Sequence, residues 1–286
     1  MKKLFLLAGL AGLLASCTNT TNNNSDNNTA TDSTTVDSTM VTTETHEQLD
    51  TTKMLFTKNG ISIAYFEESP DFPEAKLSYI GPDISKPWKE GKNTFQYKVE
   101  NFELTKQTPG AEHKHCSNSE KGQHIHNILN NEPYTAHYTD TFSKSLKPGH
   151  YVNLSFLSRS YHESIKHKNA YVLNQFSVGK SAQKSTFNPK GENLFYSRPK
   201  GEYVGKDTTK ILLDFYLVNT DLSETGNKVH LVINGTEFML NKWAPYAIYG
   251  LPLGENTIKL ELVDKNNKVI AGPFNSVERK ITLKAQ

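Results

Sequence analysis

The chain repeats itself, and the repeat constrains its fold more than any other feature. Leu77-Ser78-Tyr79-Ile80-Gly81-Pro82 reads against Leu194-Phe195-Tyr196-Ser197-Arg198-Pro199. Gly122-Gln123-His124-Ile125-His126-Asn127-Ile128-Leu129-Asn130 reads against Gly226-Asn227-Lys228-Val229-His230-Leu231-Val232-Ile233-Asn234, and Leu146-Lys147-Pro148-Gly149-His150 against Leu251-Pro252-Leu253-Gly254-Glu255. Two copies must share one architecture. The first copy carries extra residues between Leu104 and Gly122, and these include His113, His115 and Cys116.

Both copies read as short strands rich in Val, Ile, Phe, Tyr and Leu, bounded by Gly, Pro, Asn and Asp. In the first copy these are Ile61–Phe66, Phe95–Leu104, Ile125–Leu129, Tyr151–Leu157 and Tyr171–Val178. In the second they are Ile211–Val218, Val229–Ile233, Thr236–Leu240, Ala244–Tyr249, Thr257–Val263 and Val277–Leu283. Asn234-Gly235 is a hairpin turn signal. No stretch sustains a helical apolar period. The expected fold is all-β: two tandem immunoglobulin/cupredoxin-like β-sandwich domains from an internal duplication, spanning 53–180 and 185–286. The joint Gly179–Ser185 is short and polar, which leaves room for the domains to touch but predicts that they are separable.

Residues 1–17 read as an export signal, with Lys2 and Lys3 before an apolar run that is too short to span a bilayer. Leu14-Ala15-Ser16-Cys17 resembles the bacterial lipobox, which implies a lipid on Cys17. Thr18 follows the cysteine, and by the lipoprotein sorting rule this implies the outer membrane rather than the inner. Residues 18–52 are Thr, Asn, Ser and Asp with almost nothing to bury, so they are expected to be a disordered tether. The envelope location and the membrane as partner follow from these readings.

Residues 53–286 hold 30 Lys and Arg against 24 Asp and Glu, a formal charge of +6, which is mild and speaks against nucleic acid as a partner. No His-Glu-x-x-His, Gly-x-Ser-x-Gly or phosphate-cradling glycine loop is present, so no standard enzyme is visible. If Cys17 is acylated, Cys116 has no partner within the chain.

Eight of the ten histidines lie between 113 and 167. His124 and His126 alternate on one strand, so they share a face about 7 Å apart along it. Neutral imidazole suits copper or zinc. A closed site needs about four ligands, and His162 or the His113/His115/Cys116 segment is expected to supply the rest. His137, His150 and His167 sit in turn-like or solvated contexts. The second copy is expected to add nothing, because His230 stands alone there. Blue copper does not fit, since Cys116 precedes His124 and no Met follows before Met239.

His124-Ile-His126, Pro148-Gly149-His150 and His162 together resemble small His-rich domains of the bacterial envelope, and the whole chain resembles two-domain envelope lipoproteins. The resemblance implies an envelope lipoprotein, and the histidine cluster with the missing catalytic motifs points to a non-enzymatic binding protein. Two other roles are open at this level. Arg159, His162 and Lys166 lie in a basic, hydroxyl-rich loop that fits a phosphate, carboxylate or peptide ligand. Trp88, Trp243, Tyr246 and Tyr249 could form an aromatic interaction face.

Overall fold

The computed structural model describes residues 54–180 and 185–286. The signal, Cys17 and the tether lie outside them. The described chain is built of strands joined by loops, with single 3-10 turns at Ala111–His113 and Gly205–Thr208.

The first sandwich holds β3 (Lys76–Gly81), β4 (Gly91–Glu100), β5 (His124–Leu129), β6 (Thr135–His137), β7 (Thr141–Leu146), β8 (Gly149–Ser158) and β9 (Tyr171–Val178). One sheet has the order β3-β4-β7, and the other β6-β5-β8-β9. The second sandwich uses β10 (Asn193–Arg198), β11 (Gly201–Val204), β12 (Ile211–Val218), β13 (Lys228–Ile233), β14 (Thr236–Leu240), β15 (Tyr246–Tyr249), β16 (Gly254–Val263) and β17 (Ser276–Lys284). Its β10-β12-β15 and β14-β13-β16-β17 orders repeat those of the first sandwich strand for strand.

The duplication extends to detail. The register breaks between Tyr79 and Gly81 in the β3–β4 pair, and between Tyr196 and Arg198 in the β10–β12 pair. Asn130 and Asn234 both take a left-handed backbone (φ 52° and 48°). Their Oδ1 atoms accept from the Val152 and Thr257 amides, each at 2.8 Å.

Two expectations need correction. Ile61–Phe66 does not belong to the first sandwich. The hairpin β1 (Met54–Lys58) and β2 (Ile61–Tyr65) extends the second one, with Ile63 opposite Ile248 on β15. Nor does the short polar joint separate the halves, because the described residues fall in one compact unit. The outer face of β5 and β8 packs on the outer face of β10 and β12. Ile128, Val152, Leu154 and Phe156 meet Phe195, Tyr216 and Val218 there in a buried apolar layer. A neighbouring layer joins Ala111 and Tyr161 to Phe66, Leu212 and Ala247. Every residue of β10 and β12 is buried, because both faces of that sheet are covered. Residues alternate between layers: Ile211, Leu213 and Phe215 enter the second sandwich's own core, while Leu212 and Tyr216 face the first copy.

The two cores differ in chemistry. Asn127 Nδ2 donates to Asn153 Oδ1 (2.6 Å) and Ser155 Oγ (2.9 Å), Tyr97 Oη bonds Ser155 Oγ (2.7 Å), and Lys144 Nζ donates to Asn127 Oδ1 (2.5 Å). By strand register these five residues correspond to Leu231, Ile258, Leu260, Phe215 and Ile248, all of which lie in the apolar core of the second sandwich.

Candidate metal centre

The layer between the sandwiches holds the candidate site. On β5, Ile125 and Asn127 face the polar first core, so His124 and His126 face the second sandwich with Ile128. The third histidine comes from the loop after β8, where Ser158 bridges Ser164. His162 sits there with φ 70° and its amide bonded to the Arg159 carbonyl at 2.9 Å. All three are buried: His124 and His126 fully, His162 with 9% exposed.

One ring nitrogen from each comes within 4.8 Å of the others. His124 Nε2 stands 2.9 Å from His126 Nε2 and 3.1 Å from His162 Nδ1. The outer nitrogens are held too. His124 Nδ1 donates to the Gly122 carbonyl at 2.8 Å, which leaves Nε2 with its lone pair aimed at the centre. His126 Nδ1 lies 3.5 Å from Ser197 Oγ. Gly122 can place its carbonyl there because it takes φ +79° against the Thr105 carbonyl, where a Cβ would come within 2.2 Å.

Electrostatics keep the rings neutral. Burial pushes His124 down to about 4, with the Arg198 charge acting in the same direction and the Gly122 bond opposing it. His126 is held well below the usual range by burial first, then by its histidine neighbours, Arg198 and Lys200. His162 is lowered by burial, Arg198, His124 and Lys200. A neutral imidazole has a free lone pair, which is the form a metal needs.

The second sandwich contributes to the site, contrary to expectation. Arg198 Nε donates to Tyr134 Oη at 2.8 Å, and Tyr134 Oη is 3.3 Å from His162 Nδ1. The Tyr134 ring stacks on His126 with centroids 3.5 Å apart. Arg198 and Ser197 were missed because they act across an interface that the sequence reading left loose. The signal was present: Ile211–Val218 is apolar on both parities save Asp214, which marks a strand covered on both sides.

The other sequence candidates lie elsewhere. His113 is exposed beside Glu112, and His115 is exposed on the same segment. Cys116 packs into the apolar layer around Phe66 and Leu212, and burial pushes its thiol up to about 12, which keeps it protonated. His137 bonds Thr135 and stacks on Phe142, and His167 bonds the Phe72 carbonyl. The Arg159 loop is buried rather than solvated. Arg159 donates to Glu163, the Ser164 carbonyl and the Pro70 carbonyl, and Lys166 pairs with Asp214. Those donors are already used internally, although a cavity of about 500 Å³ adjoins them. Trp88 and Tyr246 are core residues, and Trp243 packs edge-on against Tyr216.

No protein-family model matches this chain, and none of the curated proteins does. Solved structures with a similar strand arrangement include fibronectin(III)-like modules of Clostridium thermocellum CbhA, at 11% identity over 73% of this chain and 94% of that one, with a TM-score of 0.26. A Bacteroides ovatus mixed-linkage glucan utilization locus protein, SGBP-B, matches at 9% identity over 78% and 70%, with a TM-score of 0.21. Domains 4 and 5 of the S-layer protein SbsC match at 11% identity over 76% and 100%, with a TM-score of 0.21. At these TM-scores the likeness carries no argument about the site.

Proposed function

We propose that this chain is a non-enzymatic, metal-binding lipoprotein of the cell envelope, lipid-anchored through Cys17 at the outer membrane. It takes up one copper or zinc ion through His124, His126 and His162. The observation that carries the reading is the convergence of three buried ring nitrogens within 4.8 Å. Solvated surface histidines do not cluster this way. Neutral imidazoles 2.9 and 3.1 Å apart can share ring protons as hydrogen bonds, and an ion that displaces those protons would take the lone pairs in their place. Nitrogen-only, neutral donors suit copper and zinc over hard ions such as magnesium and calcium.

Titration of Cu(II) and Zn(II) into the body of the chain, residues 53–286 without the signal and tether, with elemental analysis after dialysis, tests this. The unmodified protein should retain about one equivalent, and a His124→Ala/His126→Ala variant should lose tight binding. Circular dichroism establishes that the variant is folded, and His162→Gln, nearer the surface, provides a gentler second test. Weak, equal binding in all forms overturns the metal reading. The anchor is tested separately: Cys17→Ser should move the protein from the membrane to the soluble fraction, and a variant that still sediments with membranes overturns the anchor.

A further inference from the structure

The triad leaves a metal one ligand short, and the charge around it is unusual. Arg198 is buried, and its guanidinium bonds two phenols: Nε to Tyr134 Oη at 2.8 Å, and Nη1 to Tyr203 Oη at 2.9 Å. Neither partner is a carboxylate, although buried arginines ordinarily find one. The two phenols are not equivalent. Tyr134 Oη also lies 3.3 Å from His162 Nδ1, one of the converging nitrogens. Arg198 already donates to this oxygen, so the oxygen's own proton and remaining lone pair are free to face the triad. The ring has little freedom to turn away. It stacks on His126 on one side, and Lys200 Nζ stands 4.3 Å from its centroid.

Resting on the metal reading above, we propose that Tyr134 Oη is the fourth ligand, making a His3Tyr centre on the face of the first sandwich that meets the second, with Arg198 of the second as its positioning residue. As the metal–oxygen bond forms, the Oη–H bond breaks and the proton leaves to solvent. The oxygen then carries the negative charge that the buried guanidinium lacks as a partner. Four donors close a tetrahedral or tetragonal site. Arg198 bonds the back of the ligand oxygen as an outer-shell group does. The second copy thus sets the chemistry of a site whose ligands all come from the first.

The probe is Cu(II) alone, added to the unmodified body, to Tyr134→Phe and to Tyr203→Phe. Each substitution removes one oxygen and leaves the ring, so packing is preserved. The copper-loaded unmodified protein should show a phenolate-to-copper charge-transfer band in the visible. Tyr134→Phe should abolish the band and weaken copper binding at least tenfold. Tyr203→Phe, which removes the other arginine partner, should keep the band. Copper bound without a band, or a band surviving in Tyr134→Phe, overturns the Tyr134 assignment and leaves the histidine triad standing. Failure of the unmodified protein to bind copper or zinc overturns the metal centre, and the fourth ligand with it.

Discussion

β5 and β13 are the same strand in two copies of one domain, and they have opposite fates. β5 is buried along almost its whole length, whereas β13 alternates between buried and half-exposed residues. His126 and His230 occupy equivalent positions. His126 pairs across the sheet with Phe156, and His230 with Glu261. His230 is 21% exposed and bonds the half-buried Glu261 at 3.1 Å, with solvent still reaching the ring. His126 is fully buried among imidazoles, a phenol and a serine. The covering layer makes the difference. A histidine on the outer face of such a sheet becomes a candidate ligand only when a second sandwich removes its water.

The most disruptive test of that contrast exchanges the cross-strand neighbours. Phe156→Glu puts a carboxylate in the apolar layer and should destabilise the protein by about 4 kcal/mol or more. Glu261→Phe, on the half-exposed face, should cost less, about 1–2 kcal/mol, through the lost bonds from His230, Lys259 and Ser276. Urea unfolding midpoints measure both, and equal costs would show that the two faces are equivalent after all.

A pH series gives the next largest effect. Unfolded imidazoles titrate near 6.5, and folded His124 near 4. Between those values the unfolded chain binds more protons. Stability is therefore full above about pH 6.5 and is lost as pH falls toward 4. His124 alone contributes on the order of 3 kcal/mol to that loss, and His126 and His162 act in the same direction. Unfolding free energies at pH 7.5, 6 and 5 should decline, and His124→Gln should flatten the slope. A metal-free protein equally stable at pH 5 and 7.5 would contradict the dry-layer account.

The contrast between cores can be sharpened with Asn127→Leu, which gives the first sandwich the residue found at Leu231. It strips the hydrogen-bond acceptor from Lys144 and the donor from Asn153. About 2 kcal/mol should be lost despite the added apolar surface. A gain in stability would show that the polar core is an unfavourable remnant. The smallest change is expected from Ser197→Ala. Stability should move by less than about 1 kcal/mol, while metal affinity falls roughly tenfold through loss of the His126 orienting contact. Isothermal titration separates the two effects.

Much of this was legible in the chain. The duplication could be read from Leu77–Pro82 against Leu194–Pro199, and the shared face of His124 and His126 from strand parity alone. His162 was reachable as a closing group because it follows β8, the partner of β5. Contacts formed between modules were not legible. Cys116 looked like a ligand because it neighbours His115, yet it fills an apolar seam against Leu212. Arg159 and Lys166 looked like anion donors because Pro70 and Asp214, which with the neighbouring Glu163 take up their donors, lie far away in sequence. Local periodicity reports which face of a strand is dry, but it does not name what dries it.

The hairpin that opens the described chain carries a consequence for how the molecule assembles. β2 finds its sheet neighbour, β15, only after the whole first sandwich and most of the second have been made, since Ile63 meets Ile248. On a chain emerging from its N-terminus, β1 and β2 form a hairpin early and then wait, with the β2 edge unpaired. The last seam to close is therefore one of the first segments to appear. Such a high contact order slows folding and puts a premium on keeping that edge from pairing with another copy. Once seated, the hairpin ties the start of the body to its far module. A pull on the N-terminal side then bears first on β1 and β2 in the second sandwich's sheet, and only once they yield on Phe66 and Pro70, which pack on the His162 loop.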